Sequence, residues 1–94
     1  MTAPAVKRPW YVYILACSDT TFYVGITPDL VEREKKHNTG KASYYTRVRL
    51  PVKMVYAEAQ PDHSSARKRE MELKRWRRDR KAALVASACN LRRA

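Results

Sequence analysis

No stretch of this 94-residue chain approaches the roughly 18 consecutive apolar residues that a membrane-spanning helix requires. Nor does any amphipathic segment set bulky aromatics against lysines, so no membrane partner is expected. The N-terminal MTAPAVKRP lacks the apolar core of a secretory signal, and the protein is expected to stay in the cytoplasm where it is made. Cysteine is scarce: Cys17 and Cys89 stand alone without C-x-x-C spacing, which predicts reduced thiols and neither a disulfide nor a zinc site. Repeats and low-complexity tracts are missing as well. Acidic residues are the last shortage. Nine Asp and Glu face twenty Lys and Arg, a formal net charge of +11 that directs attention to polyanions, and first to nucleic acid.

What is present argues for one folded domain. The hydrophobic fraction is 45%, and Trp10, Trp76 and six tyrosines are too many for a disordered basic tail. Residues 1–9, with two prolines, read as a flexible leader, residues 10–88 as the domain and residues 89–94 as a basic tail. Residues 10–17 alternate Trp10, Val12, Ile14 and Ala16 with Tyr11, Tyr13, Leu15 and Cys17, so both faces are apolar and the strand is expected at the centre of its sheet. SDTT is a turn and FYVGI the returning strand. Pairing Cys17 with Phe22 would send Tyr13 and Tyr23 to opposite faces, whereas pairing Cys17 with Tyr23 would put them on one; periodicity does not choose.

Thr27-Pro28-Asp29 opens a helix with Thr27 as its cap, and Gly40 ends it in the left-handed conformation. KASYYTRVRL follows as a basic, aromatic connector. The segment after Pro51 alternates Val52, Met54 and Tyr56 with Lys53, Val55 and Ala57 and predicts a third strand. From Ser65 a helical segment, capped by Asp62 or Ser64, runs to about Cys89 with a break near Asp79. The order is β-hairpin, helix, strand, helix, helix: a small α+β domain.

Several residues invite a functional reading beside a plain one. Glu70 follows Ala66 by four and precedes Leu73 by three, so its carboxylate projects near an apolar stripe. It is either paired with Arg67 or Lys74 or a ligand for a hard cation such as Mg²⁺. Arg33 and His37 share one helix stripe; they are surface cations or a phosphate clamp. In the connector, Tyr44 and Tyr45 interleave with Lys41, Arg47 and Arg49, the mixture that binds single-stranded nucleic acid, unless the tyrosines simply cover the sheet. Arg67 to Lys81 carries nine basic residues and reads as a solvated, phosphate-attracting helix.

In order, YVY at 11–13, YVG at 23–25, ITPDLVEREKKHNTGKASYYTR, PVKMVYAE and ARKREMELKRW closely resemble the GIY-YIG nuclease superfamily, in particular its small single-domain bacterial branch of the URI or UPF0213 type. The resemblance covers about residues 10 to 85. It implies a three-stranded antiparallel sheet flanked by helices and a divalent-metal-dependent phosphodiesterase acting on DNA. Tyr13 and Tyr23 match the motif tyrosines, Arg33 the helix arginine, and His37 the position one turn later. Glu70 matches the metal-binding glutamate, with Mg²⁺ or Mn²⁺ as cofactor. Lys41, Tyr45, Thr46 and Arg47 become substrate contacts. Tyr11 stands where the founding motif has glycine, and Asn90 matches no motif. Single-stranded or frayed DNA is the expected substrate, because so small a domain offers little surface for sequence readout. The alternative is a non-catalytic nucleic-acid-binding protein that kept the fold. A phenol with an ordinary pKa of about 10 serves as a base near neutral pH only with help from cations or a metal.

Overall fold

A computed structural model describes residues 8–87 and 89–92. Residues 1–7 of the expected leader, and residues 88, 93 and 94, lie outside the described residues. Strands β1 (Trp10–Ala16), β2 (Phe22–Thr27) and β3 (Lys53–Gln60) form an antiparallel sheet in the order β2-β1-β3. The central place of β1 explains its apolar residues at both parities. Val12, Ile14 and Val24 project to one side, where Ala66 and Leu73 of α3 (His63–Lys74) and Leu84 and Val85 of α4 (Arg78–Val85) cover them. Tyr13, Leu15 and Cys17 project to the other, against Leu30 of α1 (Leu30–Asn38) and Tyr45 of α2 (Tyr44–Arg47). The expected architecture, a three-stranded antiparallel sheet flanked by helices, is the one found. Among the described residues, no helix is long and apolar enough to cross a membrane. Cys17 is buried, Cys89 is exposed, and both are free.

The hairpin register is neither of the two weighed from the sequence. Ala16 pairs with Phe22, Leu15 with Tyr23 and Tyr13 with Gly25, because Cys17 already belongs to the turn, its N–H bonding to the Thr21 carbonyl at 2.9 Å. Asp19 holds that turn by accepting from the Thr21 N–H and hydroxyl at 3.2 and 2.6 Å. The parity nevertheless matches the Cys17–Tyr23 alternative, so Tyr13 and Tyr23 share a face.

The third strand departs from its predicted alternation. Ile14 pairs with Tyr56 and Leu15 with Met54, leaving Val55 as the extra residue of a bulge. Val52 and Met54 therefore join the Tyr13 side while Tyr56 joins the Val12 side, and the set Val52, Met54, Tyr56 does not lie on one face. The outer edge of β3 is satisfied by side chains instead of another strand. Glu34 accepts from Met54 N–H, Asn38 exchanges two bonds with the Val52 backbone, and Asn90 accepts from Ala57 N–H while donating to the Val55 and Val85 carbonyls. An open edge would template aggregation, and these amides close it. Asn90, placed by its sequence in a basic tail, is thus buried against the sheet.

Helix boundaries shift for local reasons. The N-cap of α1 is Asp29, whose carboxylate accepts from Glu32 N–H at 3.1 Å; the expected cap, Thr27, still pairs with Tyr11 in β2 and turns its hydroxyl to Asp29 N–H at 3.0 Å. Gly40 ends the segment with φ 79°, as its spacing suggested. The C-terminal helical run breaks at Arg75 to Arg77, earlier than Asp79, where Trp76 turns back onto the core. Asp62 caps α3. The basic, aromatic connector contains the single helical turn α2, capped by Ser43.

Candidate active site

Tyr13 enters the site from the centre of the sheet, and its ring lies across Gly25 of β2. A Cβ at Gly25 would collide with the Tyr13 phenol oxygen and Cζ, so the glycine of YVG is required by the tyrosine of YVY. The phenol reaches His37, donating to Nε2 at 2.8 Å. Across the imidazole, Nδ1 lies 2.8 Å from Thr46 Oγ1, and the Thr46 hydroxyl donates to the Ser43 carbonyl at 3.2 Å. With its one proton committed to Ser43, Thr46 must accept from His37, so the network assigns the hydrogen to Nδ1 and leaves Nε2 as the acceptor. The result is a directional chain, Tyr13 to His37 to Thr46 to Ser43, of which the three side chains are fully buried.

Burial dominates the electrostatics of this chain. It pushes the Tyr13 phenol far above its ordinary value; Tyr23 adds to the rise, Arg33 opposes it and the Glu70 carboxylate adds again. Burial also pushes His37 down, and the Arg33 and Lys36 charges push it further, to about 4. Near neutral pH the imidazole is therefore neutral, as its acceptor role demands.

Tyr23 approaches from the edge strand and remains half-buried. Its ring meets His37 edge-on at 5.3 Å between centroids and stacks on Tyr45 at 5.8 Å. Tyr45 is in turn covered by the Arg49 guanidinium, 3.8 Å from its ring centroid. Arg49 is anchored by donating to Asp19 of the hairpin turn and to the Tyr45 carbonyl, both at 2.9 Å. Arg33 sits one helical turn before His37 and lines an open depression of about 230 Å³ with Thr27, Asp29, Glu32 and Lys36. Glu70 lies on α3 with its side chain 18% exposed, paired with Lys74 at 3.4 Å; of the two counter-ions considered, this is the one found. The charges of Arg33 and Glu70 both act on the Tyr13 phenol. Tyr13 and Tyr23 both meet His37, Arg33 stands one helical turn before it, and Glu70 on α3 acts on the Tyr13 phenol through its charge.

Among the described residues, no group of three or more His, Cys, Asp and Glu gathers to cage a metal. Glu70 still fits a hard cation. Its carboxylate is partly exposed beside an otherwise cationic site, and Mg²⁺ commonly takes one or two carboxylates and completes its shell with water and phosphate oxygens.

A family model described as the GIY-YIG catalytic domain matches residues 9–83. The chain belongs to the GIY-YIG family. A UPF0213 protein of Streptococcus agalactiae serotype V is 44% identical over 80 residues, covering 85% of this chain and 91% of the relative. One of Desulfotalea psychrophila is 44% identical over 87 residues, covering 90% and 79%. The solution NMR structure of a UPF0213 protein from Bacillus halodurans superposes with a TM-score of 0.55 at 41% identity, covering 86% of each chain. Membership in a nuclease family supports a nuclease-type activity and implies a nucleic acid as substrate.

The connector of this GIY-YIG domain is arranged differently from the sequence expectation. Thr46 is fully buried and Tyr45 is packed between Tyr23 and Arg49, so both support the site from behind; the expectation that Thr46 touches substrate is corrected by the proton chain that occupies its hydroxyl. Lys41 and Arg47 are exposed. Gly25 is not singled out by the sequence, and Arg49 is read there only as one of the connector cations beside Tyr44 and Tyr45. The open register hides the pairing of Tyr13 with Gly25, and the interleaving of Arg49 with the tyrosines does not show that its guanidinium covers the Tyr45 ring.

Proposed function

We propose that this GIY-YIG domain is a divalent-metal-dependent nuclease that hydrolyses DNA phosphodiester bonds, prefers single-stranded or frayed DNA, and serves DNA processing or repair in the cytoplasm. The observation that carries the reading is the buried chain from Tyr13 through His37 to Thr46, set beside the charges of Arg33 and Glu70. A structural tyrosine needs no neutral imidazole as its partner.

Glu70 would hold Mg²⁺ or Mn²⁺, which supplies Lewis-acid stabilisation of the charge that develops on the phosphate oxygens. Arg33 binds the phosphoryl group with its forked guanidinium. Tyr13 gives its own proton to His37 and keeps lone pairs free to orient the attacking water. As that water attacks, its proton leaves to solvent on the side of the half-buried Tyr23, so neither a Tyr13 phenolate nor a His37 imidazolium forms. This matters because burial opposes a phenolate at Tyr13. Tyr23, which is half-buried, orients the water or the phosphate from the solvent side.

Labelled single-stranded and duplex DNA incubated with the protein, in Mg²⁺, in Mn²⁺ and in EDTA, tests the reading alongside Glu70→Ala and Tyr23→Phe. Cleavage should need metal, favour the single strand, and fall by about 100-fold or more in each variant. Equal cleavage by wild type and Glu70→Ala would sink the metal role, and cleavage in EDTA would sink metal dependence altogether.

A further inference from the structure

The short helix α2 has two sides with different occupations. Tyr45 and Thr46 turn inward to Tyr23 and His37. Tyr44, Arg47 and the following Val48 fall on the other side, at the i, i+3, i+4 spacing of neighbours on a helix. Tyr44 is 71% exposed and Val48 55%. A large aromatic left in water beside the active site does nothing for the core. Arg47 stands 5.2 Å from the Tyr44 ring centroid, close enough for a cation–π contact. Its aliphatic stem passes over Gly40, whose missing Cβ leaves the room. None of the ion pairs among the described residues involves Arg47 or Lys41, so neither cation is neutralised by a carboxylate there.

We propose that Tyr44 and Arg47 form a nucleotide subsite in which an unpaired nucleobase stacks on the Tyr44 ring and Arg47 holds the adjoining phosphate. The inference rests on the nuclease reading above and adds to it where the strand runs once it leaves the scissile phosphate. The chemistry favours an unpaired nucleotide specifically. A base inside a duplex has both faces occupied by its neighbours, whereas an unpaired base offers a π-face that an exposed ring can take, and nearby cations track the backbone. Charge complementarity is supplied by the chain's net +11 and by the unpaired Arg47 and Lys41. One helical turn, with a pitch of about 5.4 Å, carries both the inward supports and the outward ring. The stacked base therefore belongs to a nucleotide beside the scissile bond, not to a remote tether.

Fluorescence anisotropy of a short labelled oligothymidine and of a labelled hairpin duplex, measured in EDTA so that nothing is cut, provides the test. Tyr44→Ala should weaken oligothymidine binding by about 10-fold, within the range for loss of one base–aromatic stack, and should leave the duplex nearly unaffected. Tyr44→Trp should restore or tighten it. The unfolding midpoint should not move in either variant, since the side chain is exposed. Unchanged oligothymidine binding by Tyr44→Ala, with Arg33→Ala weakened, overturns the subsite and leaves the nuclease reading standing. Equal weakening for oligothymidine and duplex also overturns it, in favour of general phosphate attraction. If the wild type binds neither DNA, subsite and nuclease reading fall together.

Discussion

Two buried phenols stand on opposite faces of the same sheet, Tyr13 on the side of α1 and α2 and Tyr56 on the side of α3 and α4. Each is about as deeply buried as the other, and burial drives the acidity of both far in the same direction. Their partners differ. Tyr56 donates at 2.6 Å to Glu58, whose two oxygens also receive Arg69 and Gln60; Arg69 continues to Glu72 and lies over Trp76. That network is closed, with the carboxylate neutralised and its oxygens occupied. Tyr13 instead donates to an imidazole that burial and the Arg33 and Lys36 charges hold neutral, and its oxygen keeps lone pairs for a ligand. A raised tyrosine pKa is thus no mark of catalysis by itself; what decides is whether the partners around the phenol form a closed network or leave its oxygen free for a ligand.

The largest expected effect breaks this comparison into two measurements. Tyr13→Phe should lower DNA cleavage by about 10²-fold, the scale for a misplaced reactant, and destabilise the fold by only about 1 kcal/mol. Tyr56→Phe should leave cleavage near wild type while destabilising by about 1.5–3 kcal/mol, since it removes a hydrogen bond to a charged acceptor. Urea unfolding and a cleavage assay on both variants check the contrast. Comparable losses of cleavage in the two would show that Tyr13 acts through packing alone.

A smaller effect separates the networks by pH. His37 titrates at about 4 in the folded protein against about 6.5 in the unfolded chain, because burial and the facing charges of Arg33 and Lys36 disfavour imidazolium; Tyr13 and Thr46 occupy its two nitrogens. Between those values the unfolded state binds a proton that the folded state refuses. The contribution is therefore fully present above about pH 6.5 and lost as pH falls toward about 4, up to about 3 kcal/mol in all. Comparing unfolding free energies of wild type and His37→Gln across that interval isolates it from the carboxylates. A wild type and variant with parallel pH profiles would place His37 in a less protected setting.

The faces also differ in how much of them a reader of the sequence could see. The Val12, Ile14, Ala66 and Leu73 side was legible from apolar periodicity, because packing needs only shape and repeat. The other side was open to a reader only through the resemblance of the tyrosine, arginine and histidine motifs to a known family, which offers candidate residues without their contacts. Three details escaped both. The bulge at Val55 is set by pairing with β1 and leaves no local mark, so Tyr56 was placed on the wrong face. Asn90 was set aside as too remote from any motif, yet it closes the edge of β3 across 33 residues of chain. Ser43 before YYTR was a readable cap, but one turn of helix is too short to show a period.

Arg49 carries the smallest predicted effect and the finest test of what the Tyr13 face is for. Its guanidinium covers Tyr45, which stacks on Tyr23, and its anchors are Asp19 in the hairpin turn and the Tyr45 carbonyl. Arg49→Met keeps the stem and removes the charge, so unfolding should change by about 1–2 kcal/mol, the worth of the cation–π contact together with the Asp19 ion pair and the bond to the Tyr45 carbonyl. If the stack positions Tyr23, kcat should fall while DNA affinity measured in EDTA holds, because the loss is of geometry and not of a phosphate contact. Arg49→Lys should recover part of kcat, since an ammonium can stand over Tyr45 yet cannot fork to both anchors. The opposite split, weaker affinity at unchanged kcat, would make Arg49 a substrate contact and leave Tyr23 held by His37 and its own strand.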